Sequence, residues 1–417
     1  FEQRFEHDWF QRIRHRSQAA VLRLNKEYSI TSTIVDYPFV PWKARNEFLW
    51  DKNGNKYIDF HSGVGCNNLG HANRKIFEAI SRQLYEFGII NVPANDHPNP
   101  LVADLSEMLC RITPGKLPKK AFLSNSGAEA VEAALKMCFK HNLKRKKFFS
   151  FQGAFHGRTL GALSLTNSKP IQKQDFPNAL GDGNVYHLPF PEQNNGLTFY
   201  DWHYYFKKNE IDLELFNAIF IELVQGEGGI NVADKKNIIN LIEILKQNGV
   251  SIVVDEVQTG IMRTGRMFAC HHYGIEPDII CLGKGLGSGV PIGATIAKAE
   301  FDFSEKGCLS NTFGGNAIAA VAALETIKIL NSWHTGDYKE LEEKIKMLSD
   351  FSDDGLGMMQ RIICESKKER DEIINRAFRK GLILLGAGEK NIRLMPPLII
   401  GKESLVEARK ILESCYQ

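Results

Sequence analysis

Nowhere in its 417 residues does the chain carry a run of about 18 apolar residues, so no membrane-spanning helix is expected. It lacks an excess of either charge. Its 52 Lys and Arg face 49 Asp and Glu, a net charge of +3, which leaves no global field to draw a nucleic acid. Paired cysteines are missing as well. The eight stand singly, with no C-x-x-C and no spacing that suggests a zinc site or a disulfide framework, so no metal is expected and a reducing cytoplasm is the setting that fits. Internal repeats and low-complexity linkers are absent too. Transit peptides are poor in acids, whereas Glu2, Glu6, Asp8 and Glu27 are interspersed among several early arginines, and an amphipathic surface helix is the expectation there. The sequence opens on Phe1 and not on Met, so residues ahead of it are expected.

With 43% hydrophobic and 24% charged residues, the composition is that of a soluble globular protein. Its length exceeds one hydrophobic core, which points to two domains or one large domain with an extension. The one dense basic run, 144–147, follows a helical pattern over 129–143 and reads as a solvated helix end, where cations suit the dipole. Between about 74 and 300, short β-rich runs at 120–123, 147–151, 218–223, 251–254 and 279–282 alternate with helical patterns. That alternation implies an α/β fold, a mostly parallel sheet with helices on both faces. Ahead of it, 47–60 holds two β-rich stretches around Asp51-Lys-Asn-Gly54, a hairpin signal. After 317 come a long helix, a loop rich in Asp and Gly, a strand at 361–365, a helix, and short strands near 382–385 and 392–394. The expected division is an N-terminal helix and hairpin over 1–70, a large domain over 71–316, and a smaller α+β region over 317–417 that the N-terminal segment joins.

Ligands on such sheets bind beyond the carboxyl ends of the strands, and several polar clusters fall there. The string NSGAEA at 125–130 follows a strand and opens a helix. Ser126, Gly127 and Ala128 would present backbone N–H groups as an anion site, or simply form an N-cap with Glu129 in the first turn. Asp255 ends a very apolar strand, where a carboxylate must meet a cation, such as a protonated pyridine nitrogen, or cap the next turn. Lys284 lies within GKGLGSGVPIG, whose glycine spacing is wrong for a P-loop and whose Gly285 stands where that loop needs Ser or Thr. Burial and flanking glycines would instead suit a Schiff-base lysine, with a surface lysine as the alternative. Phe155-His-Gly-Arg158 offers an aromatic face and a guanidinium able to grip a carboxylate, or merely a core Phe beside a surface Arg.

Taken in order, NSGAEA, FHGRT, QGEGG, DEVQTG, LGKGLGSGVPIGA and TFGGN make the chain resemble a class-III, or ω-amino-acid, aminotransferase of fold type I that depends on pyridoxal 5'-phosphate. The resemblance runs from the hairpin to the C-terminus. It implies that 71–316 binds the cofactor, that the protein is a homodimer with its active site at the interface, and that Lys284 carries the cofactor. It further implies that Gly127 and Ala128, after Ser126, hold the phosphate, and that Phe155 stacks on the pyridine ring with His156 among the contacts. Val257 would pack on the other face, Asp255 pair with the ring nitrogen, Gln258 approach the phenolic oxygen, and Thr312 reach the phosphate of the neighbouring subunit. Lys284 and Asp255 are then the catalytic residues, with Lys284 as the base that moves a proton from the substrate carbon.

On the substrate side the resemblance implies that Arg158 binds a carboxylate remote from the reacting amine. Glu227 and Arg393 resemble the family's switch pair: Glu227 neutralises Arg393 while an ω-amine binds, and the α-carboxylate of 2-oxoglutarate then displaces it. Departures from the family pattern are Leu223, Ile261, Met262 and Gly285, which bear on substrate shape. Val64 is apolar where ornithine-specific members carry Tyr, so the expected reaction moves the amino group of 4-aminobutyrate or a similar short ω-amino acid to 2-oxoglutarate, giving an aldehyde and glutamate. The alternatives are an acetylornithine, ornithine or lysine ω-aminotransferase, or a class-III-like amino-acid racemase, whose Leu-Leu-Gly stretch recurs at 384–386. A ligand-sensing or structural protein that kept the fold without the chemistry is opposed by the intact Lys284, Asp255 and Arg158.

Overall fold

Every residue of Phe216–Ile221 and of Ser251–Asp255 is buried, as strands covered on both faces must be. Their side chains alternate between two cores: Ile219, Ile221, Ile252 and Val254 enter one, Ala218, Phe220 and Val253 the other. The computed structural model describes residues 13–33, 39–93, 96–116, 118–193 and 201–416. Its largest sheet runs, edge to edge, Lys119–Ser124, Gly293–Lys298, Ile279–Leu282, Ser251–Asp255, Phe216–Ile221, Lys147–Phe151, Val185–Leu188. Gly293–Lys298 is antiparallel to both neighbours, and the remaining pairings are parallel. The expected mostly parallel α/β sheet is therefore present.

Two of its strands escaped the sequence reading. Val185–Leu188 is a short edge that is only partly buried. Gly293–Lys298 begins inside the glycine-rich stretch, just after Pro291, where turn residues mask a strand pattern. The helix expected at 129–143 runs Gly127–His141, because Ser126 caps it: its Oγ accepts the N–H of Glu129 at 3.2 Å. Ala130, Val131, Ala134 and Cys138 of this helix fill the second core.

The expected hairpin forms from Phe48–Asp51 and Lys56–Asp59. Asp51 closes its turn, Oδ1 accepting the N–H groups of Asn53 and Asn55 at 2.9 Å each, while Gly54 takes φ 89°. On its far side Ile58 and Asp59 pair in parallel with Leu382 and Ile383, so the two ends of the chain share a sheet. Where one long helix was expected after 317, two occur, Ala317–Asn331 and Thr335–Ser349, the second opening where the His334 N–H donates to Asp337 at 2.7 Å. The first of them packs behind the turn that carries Lys284. A second four-stranded sheet joins Asp354–Leu356, Met359–Ile363, Asn391–Leu394 and Leu385–Ala387.

The helix Gln18–Tyr28 stands in the expected N-terminal region with none of its residues buried, while 1–12 lie outside the described residues. No helix among the described residues is long and apolar enough to cross a membrane. All eight cysteines are free thiols.

Candidate active site

Five parallel strands deliver polar residues from their carboxyl ends to one cavity of about 280 Å³. Lys119–Ser124 leads to Gly127 and Ala128, Lys147–Phe151 to Phe155, His156, Gly157 and Arg158, and Phe216–Ile221 to Glu222 and Glu227. Ser251–Asp255 ends on Asp255, followed by Val257 and Gln258, and Ile279–Leu282 leads to Lys284. The burial that holds these strands together is thus also what positions the polar ends.

Gly127 and Ala128 occupy the first helical turn, whose N–H groups no intrahelical carbonyl can satisfy. A Cβ on Gly127 would lie 2.5 Å from Val257 Cγ1, so only glycine lets this turn pack against the strand-end loop. The Ser126 side chain is spent on the cap, and Ser126 itself does not line the cavity.

Lys284 sits at φ 40° between two glycines, a left-handed conformation that is strained for a side chain of this length. Burial pushes its ammonium below the ordinary lysine value, against the charges of Cys66, Glu227 and Asp255 and with that of Arg393. Asp255 Oδ2 meets His156 Nδ1 at 2.9 Å, and its Oδ1 accepts the Val257 N–H at 3.0 Å. Burial alone would depress His156, but the hydrogen bond and charge of Asp255 raise it above its ordinary value. His156 Nε2 and Gln258 Oε1 have no hydrogen-bond partner among the described residues, although both are buried.

Arg158 is exposed at the mouth, its guanidinium 5.8 Å from the Phe155 ring centroid. Deeper, Arg393 Nη2 donates to Glu227 Oε1 at 2.7 Å and to the Gly386 carbonyl at 3.1 Å. Arg393 is 2% exposed, yet its Nε and Nη1 find no partner among the described residues. A buried guanidinium with open donors suits an incoming carboxylate. Burial would raise the Glu227 carboxyl, but Arg393, Lys169 and Lys284 hold it below the usual range.

Arg393, like Ser126, adjoins the cavity without lining it, and two further expected residues lie elsewhere. Val64 sits at φ 59° in the turn Ser62–Gly65, half-buried and not in the cavity wall. Thr312 is exposed, and its carbonyl accepts from Asn91 at 3.1 Å.

Sequence reasoning passed over Glu222. Its Oε2 accepts the Phe155 N–H at 2.8 Å and its Oε1 the Gly226 N–H at 3.1 Å, tying two cavity loops together. Burial, aided by Asp255 and opposed by His156, raises its carboxyl to about 7. The signal was available, since an acid directly after the apolar run 218–221 needs the same explanation that Asp255 received. Lys169, 3.8 Å from Glu227 Oε2, carries no such local signal.

Residues 31–416 match the family Aminotransferase class-III. The acetylornithine aminotransferase of Oceanobacillus iheyensis is 36% identical over 395 residues, covering 90% of this chain and 93% of that one. That of Aquifex aeolicus is 36% identical over 388 residues, covering 89% and 95%. Among solved structures, the ornithine aminotransferase of Toxoplasma gondii superposes with a TM-score of 0.84 at 24% identity, over 98% of this chain and 97% of that one. An (S)-enantioselective omega-transaminase from Thermomicrobium roseum gives 0.84 at 23% identity, over 95% and 98%. These two likenesses speak to the fold.

Proposed function

The chain belongs to the class-III aminotransferases, and from that premise we propose that it moves the terminal amino group of an N-acetylated ornithine to 2-oxoglutarate with the help of pyridoxal 5'-phosphate. The donor departs from the 4-aminobutyrate expected from the sequence. The relatives' names favour the acetylornithine alternative.

The residues fit the cofactor. Gly127 and Ala128 offer first-turn N–H groups to a phosphate, and the Cβ that Gly127 lacks leaves room for Val257 to pack against that turn. Phe155 and Val257 would flank a flat ring, Asp255 would pair with its nitrogen, and Gln258 Oε1, without a partner among the described residues, would meet a donor in this region. When bound, the cofactor supplies an electron sink for the substrate carbon.

The protein's own groups then divide the work. Asp255, steadied by His156 and the Val257 N–H, holds a carboxylate where a ring nitrogen must stay protonated. Lys284, its ammonium destabilised by burial, is able to be neutral and to carry a proton away from the substrate carbon. Arg158, at the mouth, would take the donor's carboxylate. Glu227 keeps Arg393 neutralised until the α-carboxylate of 2-oxoglutarate takes its place.

The observation that carries this reading is the Arg393–Glu227 pair, whose guanidinium keeps two nitrogens without partners among the described residues, beside the cavity that Lys284 lines. A homodimer in the cytoplasm, with Thr312 reaching across, belongs to the same proposal; the apolar residues Tyr85, Phe87 and Phe313, 90%, 64% and 58% exposed, support a covered face. The test is glutamate formation by the purified, cofactor-loaded protein from N-acetylornithine and 2-oxoglutarate. Turnover of 4-aminobutyrate or ornithine in preference would overturn the donor assignment. Loss of optical rotation from one amino acid without any oxo acid would favour the racemase reading.

A further inference from the structure

Displacing Glu227 from Arg393 leaves an anion beside an arriving anion, and that charge needs a destination. Three cationic candidates besides Arg393 are near. His61 is pushed below its ordinary value by burial and is neutral at neutral pH. Lys284 belongs to the chemistry. Lys169 is different: its Nζ stands 3.8 Å from Glu227 Oε2, the oxygen that Arg393 does not hold, and its side chain is 40% exposed.

The position of Lys169 is prepared by its sequence. Pro170 confines the residue before it to extended backbone, and Lys169 adopts φ −146° and ψ 131°. The loop is tied down ahead of it, where the Asn167 N–H donates to the Ala154 carbonyl at 2.6 Å, and behind it, where the Gln172 N–H donates to the Lys169 carbonyl at 3.1 Å. Glu227 is held through its backbone, since the Gly388 N–H donates to its carbonyl at 2.8 Å. Only the Glu227 side chain has to turn.

We propose that Lys169 is the counter-cation that receives the Glu227 carboxylate when 2-oxoglutarate takes Arg393, making it a positioning residue specific to the oxo-acid half of the reaction. This rests on the switch reading of Arg393 and Glu227. Between amino-donor and oxo-acid turnover, Glu227 exchanges a buried, hydrogen-bonded partner for a half-exposed one, so it leaves Arg393 without losing a counter-charge.

The two half-reactions of K169M, followed separately by rapid-mixing absorbance on the cofactor-loaded enzyme, test this. The expected result is a fall of about fivefold in the 2-oxoglutarate half-reaction, the size of a partly exposed ion pair. The donor half-reaction changes less than about twofold. Calorimetry with glutarate, a dicarboxylate that cannot react, should show Kd raised by about the same fivefold, and K169R should restore both values. In an E227Q background K169M should do nothing further, because the lysine acts through Glu227. Equal loss in both half-reactions, no loss in either, or a K169M effect that survives in E227Q would overturn the proposal. R393K separates the premise. If it shows no selective loss with 2-oxoglutarate, the switch reading itself fails, whereas a normal R393K response beside an inert K169M removes only the role of Lys169.

Discussion

Arg393 and Glu227, 166 residues apart in the chain, meet at 2.7 Å beside the cavity that Lys284 lines, and the guanidinium keeps two nitrogens without partners among the described residues. Folding has buried a cation deeper than its own counter-charge requires.

Truncating one partner of such a pair leaves the other unpaired. R393A is expected to lower unfolding free energy by about 2 kcal/mol, less than the full penalty for a broken buried pair because Glu227 keeps some solvent and Lys169. It should also cut kcat/KM for 2-oxoglutarate on the order of a hundredfold. Adding E227Q should recover part of the stability and none of the oxo-acid turnover, which denaturation curves and steady-state kinetics would show together.

G127A probes the cradle. Its new methyl would lie 2.5 Å from Val257 Cγ1 and 2.8 Å from Cγ2, so the turn must shift. Overpacking of this kind costs about 1–3 kcal/mol, and cofactor retention should weaken roughly tenfold or more. Visible absorbance after exhaustive dialysis reports it. V257A in the same chain should restore much of the loss, and a failure to do so would move the cause away from this contact.

Glu222 makes stability depend on pH in a known direction. Its carboxyl is raised from 4.5 to about 7 in the folded state, so the folded protein holds that proton more tightly than the unfolded chain does. Stability from this group therefore falls as pH climbs from about 4.5 to 7 and is level beyond, by at most about 3 kcal/mol. E222Q carries no such proton. The wild-type minus E222Q difference should drift against the wild type over that interval, and parallel profiles in urea unfolding from pH 5 to 8 would refute it.

D255N removes the charge that keeps His156 above its ordinary value. Burial is then opposed only by the charge of Glu222, and the imidazole is expected to titrate lower than in the wild type, visible by NMR. Turnover should drop on the order of 10²–10³-fold with the cofactor still bound, as loss of a preorganised charge at the reacting group predicts. Full activity in D255N would remove Asp255 from the chemistry.

Much of this site could be read along the chain, for physical reasons that are local. An N-cap serine announces the helix that starts at Gly127, a carboxylate after an apolar run announces Asp255, and turn residues announce the hairpin at Asp51. Glu222 obeys the same rule as Asp255, but Leu223 and Val224 continue the apolar run past it and hide the end of the strand. The strand Gly293–Lys298 is hidden by Gly293 and by the glycines and Pro291 ahead of it.

The reaction class was legible in the amino-acid sequence, since the residues proposed to meet the cofactor lie within short strings that carry the family resemblance and whose order along an alternating α/β pattern brings them to the same edge of the sheet. The tertiary structure alone decided that Lys169 faces Glu227 and how deeply Arg393 is buried. Arg393 comes from a strand of the C-terminal sheet and Glu227 from the loop after Phe216–Ile221, a meeting that only the family resemblance foretells, whereas nothing in the neighbourhood of Lys169, on a surface turn, brings it to them. Periodicity states which face of an element is buried, whereas the pairing of distant side chains depends on strand order and chain closure, which are settled only when the whole core packs.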